Sequence, residues 1–199
     1  MLILSTAYFP PISWFDSAIT NGGAVIDQHE NFVKQTYRNR CCITGPNGKL
    51  NLIVPIKHNS DKKLPVYEIL ISYEQPWQRL HWRSLESAYR RSPFFEYYES
   101  HLHDLLFTQT ESLLELNSKL IKWIISMLEI KLDITYSEAY VESEVNSNID
   151  FRNHIHPAKK SSDVIPNYIQ KRYHQVFEPK TGFIEDLSIL DLLFNERRI

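Results

Sequence analysis

Short apolar runs without helical spacing mark the first seventy residues: Leu2 to Ser5, Ala24 to Ile26, Cys41 to Thr44, Leu50 to Ile56 and Tyr67 to Ser72. Runs of four to eight apolar residues bounded by turn signals read as strands. From Trp77 onward the period lengthens. Trp82, Leu85 and Tyr89 recur at helical spacing, flanked by His81 and Ala88, with Arg79, Arg83 and Arg90 on another face; this predicts an amphipathic helix with a basic side. Leu113, Leu116, Leu120, Ile124 and Met127 trace a second stripe of the same kind.

Local punctuation sets the boundaries. Pro10 and Pro11 deny backbone donors, so AYFPPISWF reads as a strand running into a loop. Gly22-Gly23 is a turn, and GPNG (45–48) joins two runs into a β-hairpin. Pro93 ends the first helix near Arg91, with Ser92 read as the N-cap of the next. Thr108 and Glu111 have the spacing of a capping box, and Ser188 with Asp191 opens a last helix over ILDLLFN. Asp133 to Val141 is read as a strand, and the polar segment 142–162 as a mobile loop. The expectation is a single α/β domain over 1–199. Its strand-rich N-terminal third would carry helices packed on a mixed sheet in two or three layers.

Composition narrows the chemistry. The chain holds five glycines, where average usage would place about fourteen, and none is spaced as a Walker A loop, a dinucleotide fingerprint or a nucleophile elbow. Lys and Arg number 22 against 24 Asp and Glu, a balance unlike that of a duplex-DNA binder. No apolar run approaches the ~20 residues of a membrane span, and the N-terminus lacks the basic start of a signal peptide. Cys41 and Cys42 are vicinal and poorly placed to pair with each other, which suits a reducing, cytoplasmic setting.

The densest chemistry lies in HENFVKQTYRNR, where His29, Lys34, Arg38, Asn39 and Arg40 fall within twelve residues. Guanidinium forks and amide donors suit an anionic ligand; a solvated strand edge is the plainer reading. His81 fits a hydrogen-bonded boundary position or a general base. The pairs His101/His103 and His154/His156 have metal-chelating spacing only on a strand; helix and loop contexts argue against a metal there. Strand alternation would bury one of Cys41 and Cys42 and expose the other. The 25 aromatics read mainly as core, with a few left to stack a ligand.

Four ordered blocks, the opening strand into AYFPPISWF, HENFVKQTYRNR, HWRSLESAYRRSPFFEYY and YHQVF…GFIEDLSILDLLFNE, together resemble the WbqC-like family of bacterial proteins. The resemblance implies a cytoplasmic protein of loosely defined activity, some of whose relatives are associated with O-antigen or other surface-polysaccharide gene clusters. Many relatives carry two consecutive aspartates before the basic block, where this chain has Asp27-Gln28-His29-Glu30. Matched positions are Lys34, Arg38, Asn39, Arg40, His81, Tyr89 and Glu96.

The resulting expectation is a transferase-like enzyme that binds an activated anionic small molecule and modifies a sugar or similar acceptor. Lys34, Arg38 and Arg40 would clamp the anion, Asn39 and Tyr89 would orient the ligand with His29 nearby, and His81 or Glu96 would move the proton. No cofactor or metal is required. The alternatives are a non-catalytic binding or scaffold protein using the same surface, and a single-strand nucleic-acid binder using Arg79, Arg83, Arg90 and Arg91.

Overall fold

Leu2–Leu4 (β1) is buried at every position, as a strand covered on both faces must be. The computed structural model describes residues 1–57, 63–142 and 148–197. From β1 the chain turns at Pro10-Pro11 into a helix, Ile12–Thr20 (α1), and returns through Ala24–Ile26 (β2), which pairs parallel with β1. The return is tight. Gly23 adopts φ 135° with Asp133 O only 2.7 Å from where a Cβ would sit, so any larger residue would collide with backbone. Ile134–Tyr136 (β5) and Ile149–Asp150 (β6) complete a four-stranded sheet in the order β5-β2-β1-β6, parallel throughout.

The hairpin Arg40–Gly45 (β3) and Gly48–Ile53 (β4) forms a separate two-stranded sheet. The α/β class therefore stands, with parallel and antiparallel pairing divided between two sheets. Trp77–Tyr89 (α2), Phe95–Phe107 (α3) and Leu113–Met127 (α4) supply most of the helical layer. Two single-turn helices, Ser161–Val164 (α5) and Glu178–Thr181 (α6), precede Ile189–Asn195 (α7). Phe194 of α7 packs against Tyr89, Phe95 and Tyr98 at centroid separations of 5.0, 5.2 and 6.2 Å, so much of the aromatic content is core.

Several boundaries differ from the sequence reading. ISWF is the first turn of α1, because Pro11 serves as an extended N-cap instead of continuing a loop. Tyr67 to Ser72 is no strand: Val66–Glu68 is a 3₁₀ turn, and Leu70 and Ile71 make only isolated bridges to Ser112 and Ile56. The cap of α4 is Ser112, whose hydroxyl accepts from Glu115 N, while Thr108 bonds back to Asp104 O. Likewise α3 starts at Phe95 because the Ser92 hydroxyl is spent on Tyr89 O. Ser188 does cap α7. Cys41 and Cys42 are both buried, since β3 is covered on both faces, with Ser188 N donating to Cys42 O. The 142–162 segment holds β6 and the start of α5; residues 143–147 of it lie outside the described residues.

Candidate functional site at the carboxyl edge of the parallel sheet

In open parallel sheets, ligands bind beyond the carboxyl ends of the strands, where the strand order reverses. Here β1 is that point. The chain proceeds from β1 to β2 on one side, and β6 returns to the other. The residues leaving the carboxyl ends are Ser5 and Thr6 from β1, Asp27 from β2, Ser137 from β5 and Arg152 from β6. Polar and charged side chains therefore converge because parallel strands place all their exits on one edge.

Two guanidinium groups fill this edge. Arg38 is held by Glu30 through two parallel bonds, Nε to Oε1 at 2.9 Å and Nη2 to Oε2 at 2.5 Å. Arg152 bonds Asp27 Oδ2 at 2.5 Å through Nη1 and Asp150 through Nε and Nη2, with its guanidinium over the Tyr140 ring. Asp27 also accepts from Ser137 Oγ and from the Val141 and His29 amides. Asn117 of α4 donates to both Thr6 Oγ1 and Arg38 O, tying the helical layer to the edge. What remains beside Arg38 and Arg152 is a gap of about 10 Å³, the space of a single water. Burial outweighs the pull of Arg38 on Glu30, so that carboxyl stands above its ordinary pKa. Fork geometry of this kind fixes an arrangement more than it adds stability.

Beyond the sealed gap lies a cationic ledge. Arg40 is half-buried and, among the described residues, makes no ion pair or side-chain hydrogen bond; its Nε is shielded from solvent. His156 is half-buried with Nδ1 accepting from Ala158 N. Its pKa is depressed first by burial, then by the positive charges of Lys159, Arg38 and Arg40. That response places these cations within electrostatic reach of one imidazole.

The sequence-derived candidates separate into three groups. Arg38 and Arg40 both act on His156, whereas His29 is fixed elsewhere, its amide donating to Asp27 and its ring edge-on to Tyr67 at 5.0 Å. Asn39 is structural: its Nδ2 donates to Val54 O while its carbonyl accepts from Val54 N, stapling the hairpin to the chain that follows it. His81 is enclosed by Tyr8, Trp77 and the Ile53 carbonyl, with Nδ1 2.9 Å from Tyr8 Oη and Nε2 3.2 Å from Ile53 O. Burial lowers its pKa to about 4, so the ring is neutral at physiological pH with both nitrogens occupied. None of these enclosing groups borders the gap beside Arg38. Tyr89 is buried against Phe194 in the helical layer; Lys34 and Glu96 stand exposed.

The sequence model of the WbqC-like protein family matches residues 6–164, most of the chain. The chain belongs to the WbqC-like protein family. Comparison with curated proteins and with solved structures yields no match. The matched span contains the carboxyl edge of this WbqC-like protein from Thr6 to Arg152 and stops before α6 and α7. Sequence reasoning missed Asp27, Glu30 and Arg152 as site residues, and weighed His156 only as half of a metal-chelating pair. Asp27 alone carried a signal, a charged residue directly after the apolar strand Ala24-Val25-Ile26. Arg152 gave no such signal, because β6 is only two residues long. No helix among the described residues is long and apolar enough to cross a membrane.

Proposed function

We propose that this WbqC-like protein binds an activated, anionic small molecule on the Arg40–His156 ledge and transfers part of it to a sugar or similar acceptor. The supporting observation is the half-buried His156 near a parallel sheet's carboxyl edge, its pKa depressed first by burial and then by the charges of Lys159, Arg38 and Arg40. There an anion would relieve like-charge repulsion and find the unpaired Arg40 fork. Arg38, bound to Glu30, contributes field and positioning in place of the direct clamp its sequence setting suggests. A role in surface-polysaccharide assembly, in the cytoplasm, follows from the family resemblance.

A non-catalytic binding protein is the second reading, and one observation favours it: the proposed proton carrier His81 is sealed, with both ring nitrogens occupied by Tyr8 and the Ile53 carbonyl. Pyrophosphate is the probe for the ledge. It is expected to raise the His156 pKa in an NMR titration and to lose affinity in Arg40→Ala and with added salt; an unmoved His156 resonance ends both readings. Nucleotide release from an activated sugar donor, dependent on added acceptor, separates the enzyme from the binding protein.

A further inference from the structure

A second concavity, of about 640 Å³, lies away from the ledge between α1, α7 and the irregular strap 168–173. Its walls differ in charge. The helices present Asp16 one turn from Ile12, and Glu196 one turn from Leu192; the strap presents Lys171, Arg172 and the Gln170 amide. Arg172 is already occupied by Glu178 and by the Phe183 ring. Among the described residues Asp16 has no hydrogen-bond partner and Lys171 no ion pair, while Glu196 accepts only a long bond from His174 N at 3.4 Å.

Gln170 supplies a directional clue. Its Oε1 accepts from Asp186 N at 2.7 Å and from Tyr168 Oη, which fixes the amide's orientation, and its Nε2 is shielded from solvent without a partner. A buried donor left unmade is costly unless a ligand completes it. Tyr168, on the strap, senses the acid across the groove: its hydroxyl pKa is raised first by burial and then by the charges of Asp186, Asp16 and Glu185, of which Asp16 stands on the helix wall.

We propose that this groove binds a free amino acid, its ammonium held by Asp16 and Glu196 on the helix wall and its carboxylate by Lys171 and the Gln170 amide on the strap wall. Neither charge alone satisfies both walls, and the space remaining accepts side chains of different size. The site lies partly in residues beyond the matched family span and is independent of the anion ledge.

The test is thermal unfolding of the full chain with each of the twenty L-amino acids at ~10 mM, about ten times a millimolar Kd. Ethylamine hydrochloride and sodium acetate at matched ionic strength are the controls. At least one amino acid should give a saturable rise in Tm of roughly 3–6 °C, with neither half-ligand doing so. The rise should vanish in Asp16→Asn and in Lys171→Ala, and pyrophosphate should not compete with it. Lys171 is exposed, so its variant tests the site even if Asp16→Asn folds poorly. No saturable shift in the wild-type protein, an equal shift with ethylamine or acetate, or a shift retained by Lys171→Ala would overturn the assignment.

Discussion

At the carboxyl edge of the sheet the buried carboxylates of Asp27 and Glu30 each face a guanidinium, whereas the buried carboxylates of the C-terminal third are held by neutral donors. Asp186 accepts from Ser13 N and Oγ at 2.8 Å each and from Ser161 Oγ; Asp191 accepts from Tyr173 Oη at 2.7 Å. Neither makes an ion pair among the described residues. A counter-ion lets a buried acid stay charged but makes each partner hostage to the other, since removing one strands a charge in a low-dielectric setting. Neutral donors support the charge less strongly, and burial then drives the pKa toward neutrality. The two regions place the same chemistry under different control: one hangs on the partner cation, the other on the protonation of a carboxyl that burial has raised.

The largest expected effect tests the first half of that contrast. Arg38→Met leaves Glu30 buried and unpaired and should cost about 3–5 kcal/mol in urea unfolding. Glu30→Leu with Arg38→Met removes both charges and should recover most of the loss, because the pair's own desolvation consumes much of its attraction. If the single variant cost less than about 1 kcal/mol, the edge would be solvated in practice and the contrast would collapse.

Next in size is the pH response. Burial raises Asp191 from its ordinary value to about 6, with the hydroxyls of Tyr173 and Tyr89 pulling back. An acid whose folded pKa is raised binds a proton more tightly when folded, so stability falls as pH rises from about 4 to 6 and stays reduced above. A shift of about two pH units corresponds to ~3 kcal/mol. Asp191→Asn keeps an acceptor for Tyr173 and lacks the titration. The variant should therefore gain on the wild-type protein by up to ~3 kcal/mol between pH 4 and 7. His81 confounds neither limb of this comparison, because its own depressed pKa, about 4, is shared by both proteins. A constant difference across that range would place Asp191 in contact with water.

What could be read in advance follows the same division. The α4 stripe, the hairpin around GPNG and the Ser188 cap are local patterns, and all three are present. The ion pairs at the edge join residues 8 and 125 positions apart, Arg38 with Glu30 and Arg152 with Asp27. Only strand order brings the second pair together. HENFVKQTYRNR was legible as a basic block, but not the occupation of its first arginine by Glu30 inside that block. Tyr67 to Ser72 was misread for a related reason: its apolar alternation packs against α4 and the chain after β4 without forming a ladder.

The smallest effect probes the neutral donors directly. Ser161 Oγ bonds both Asp186 and Ser13 Oγ in a buried cluster at the start of α1. Ser161→Ala removes one hydrogen bond to a carboxylate and should cost about 2 kcal/mol at pH 7. The pH dependence carries the argument. Burial raises the Asp186 pKa, and Ser161 is the strongest influence opposing it, so the variant's Asp186 is protonated at still higher pH. The cost should shrink as pH falls and the acid becomes neutral in both proteins, because Ser161 then no longer supports a charge. Ser84→Ala supplies the reference, since that exposed hydroxyl bonds only Leu80 O of its own helix and should change stability by less than about 0.5 kcal/mol at any pH. A Ser161→Ala cost that stayed level from pH 4 to 7 would mean that the hydroxyl acts by packing alone, and that Asp186 takes its charge support from elsewhere.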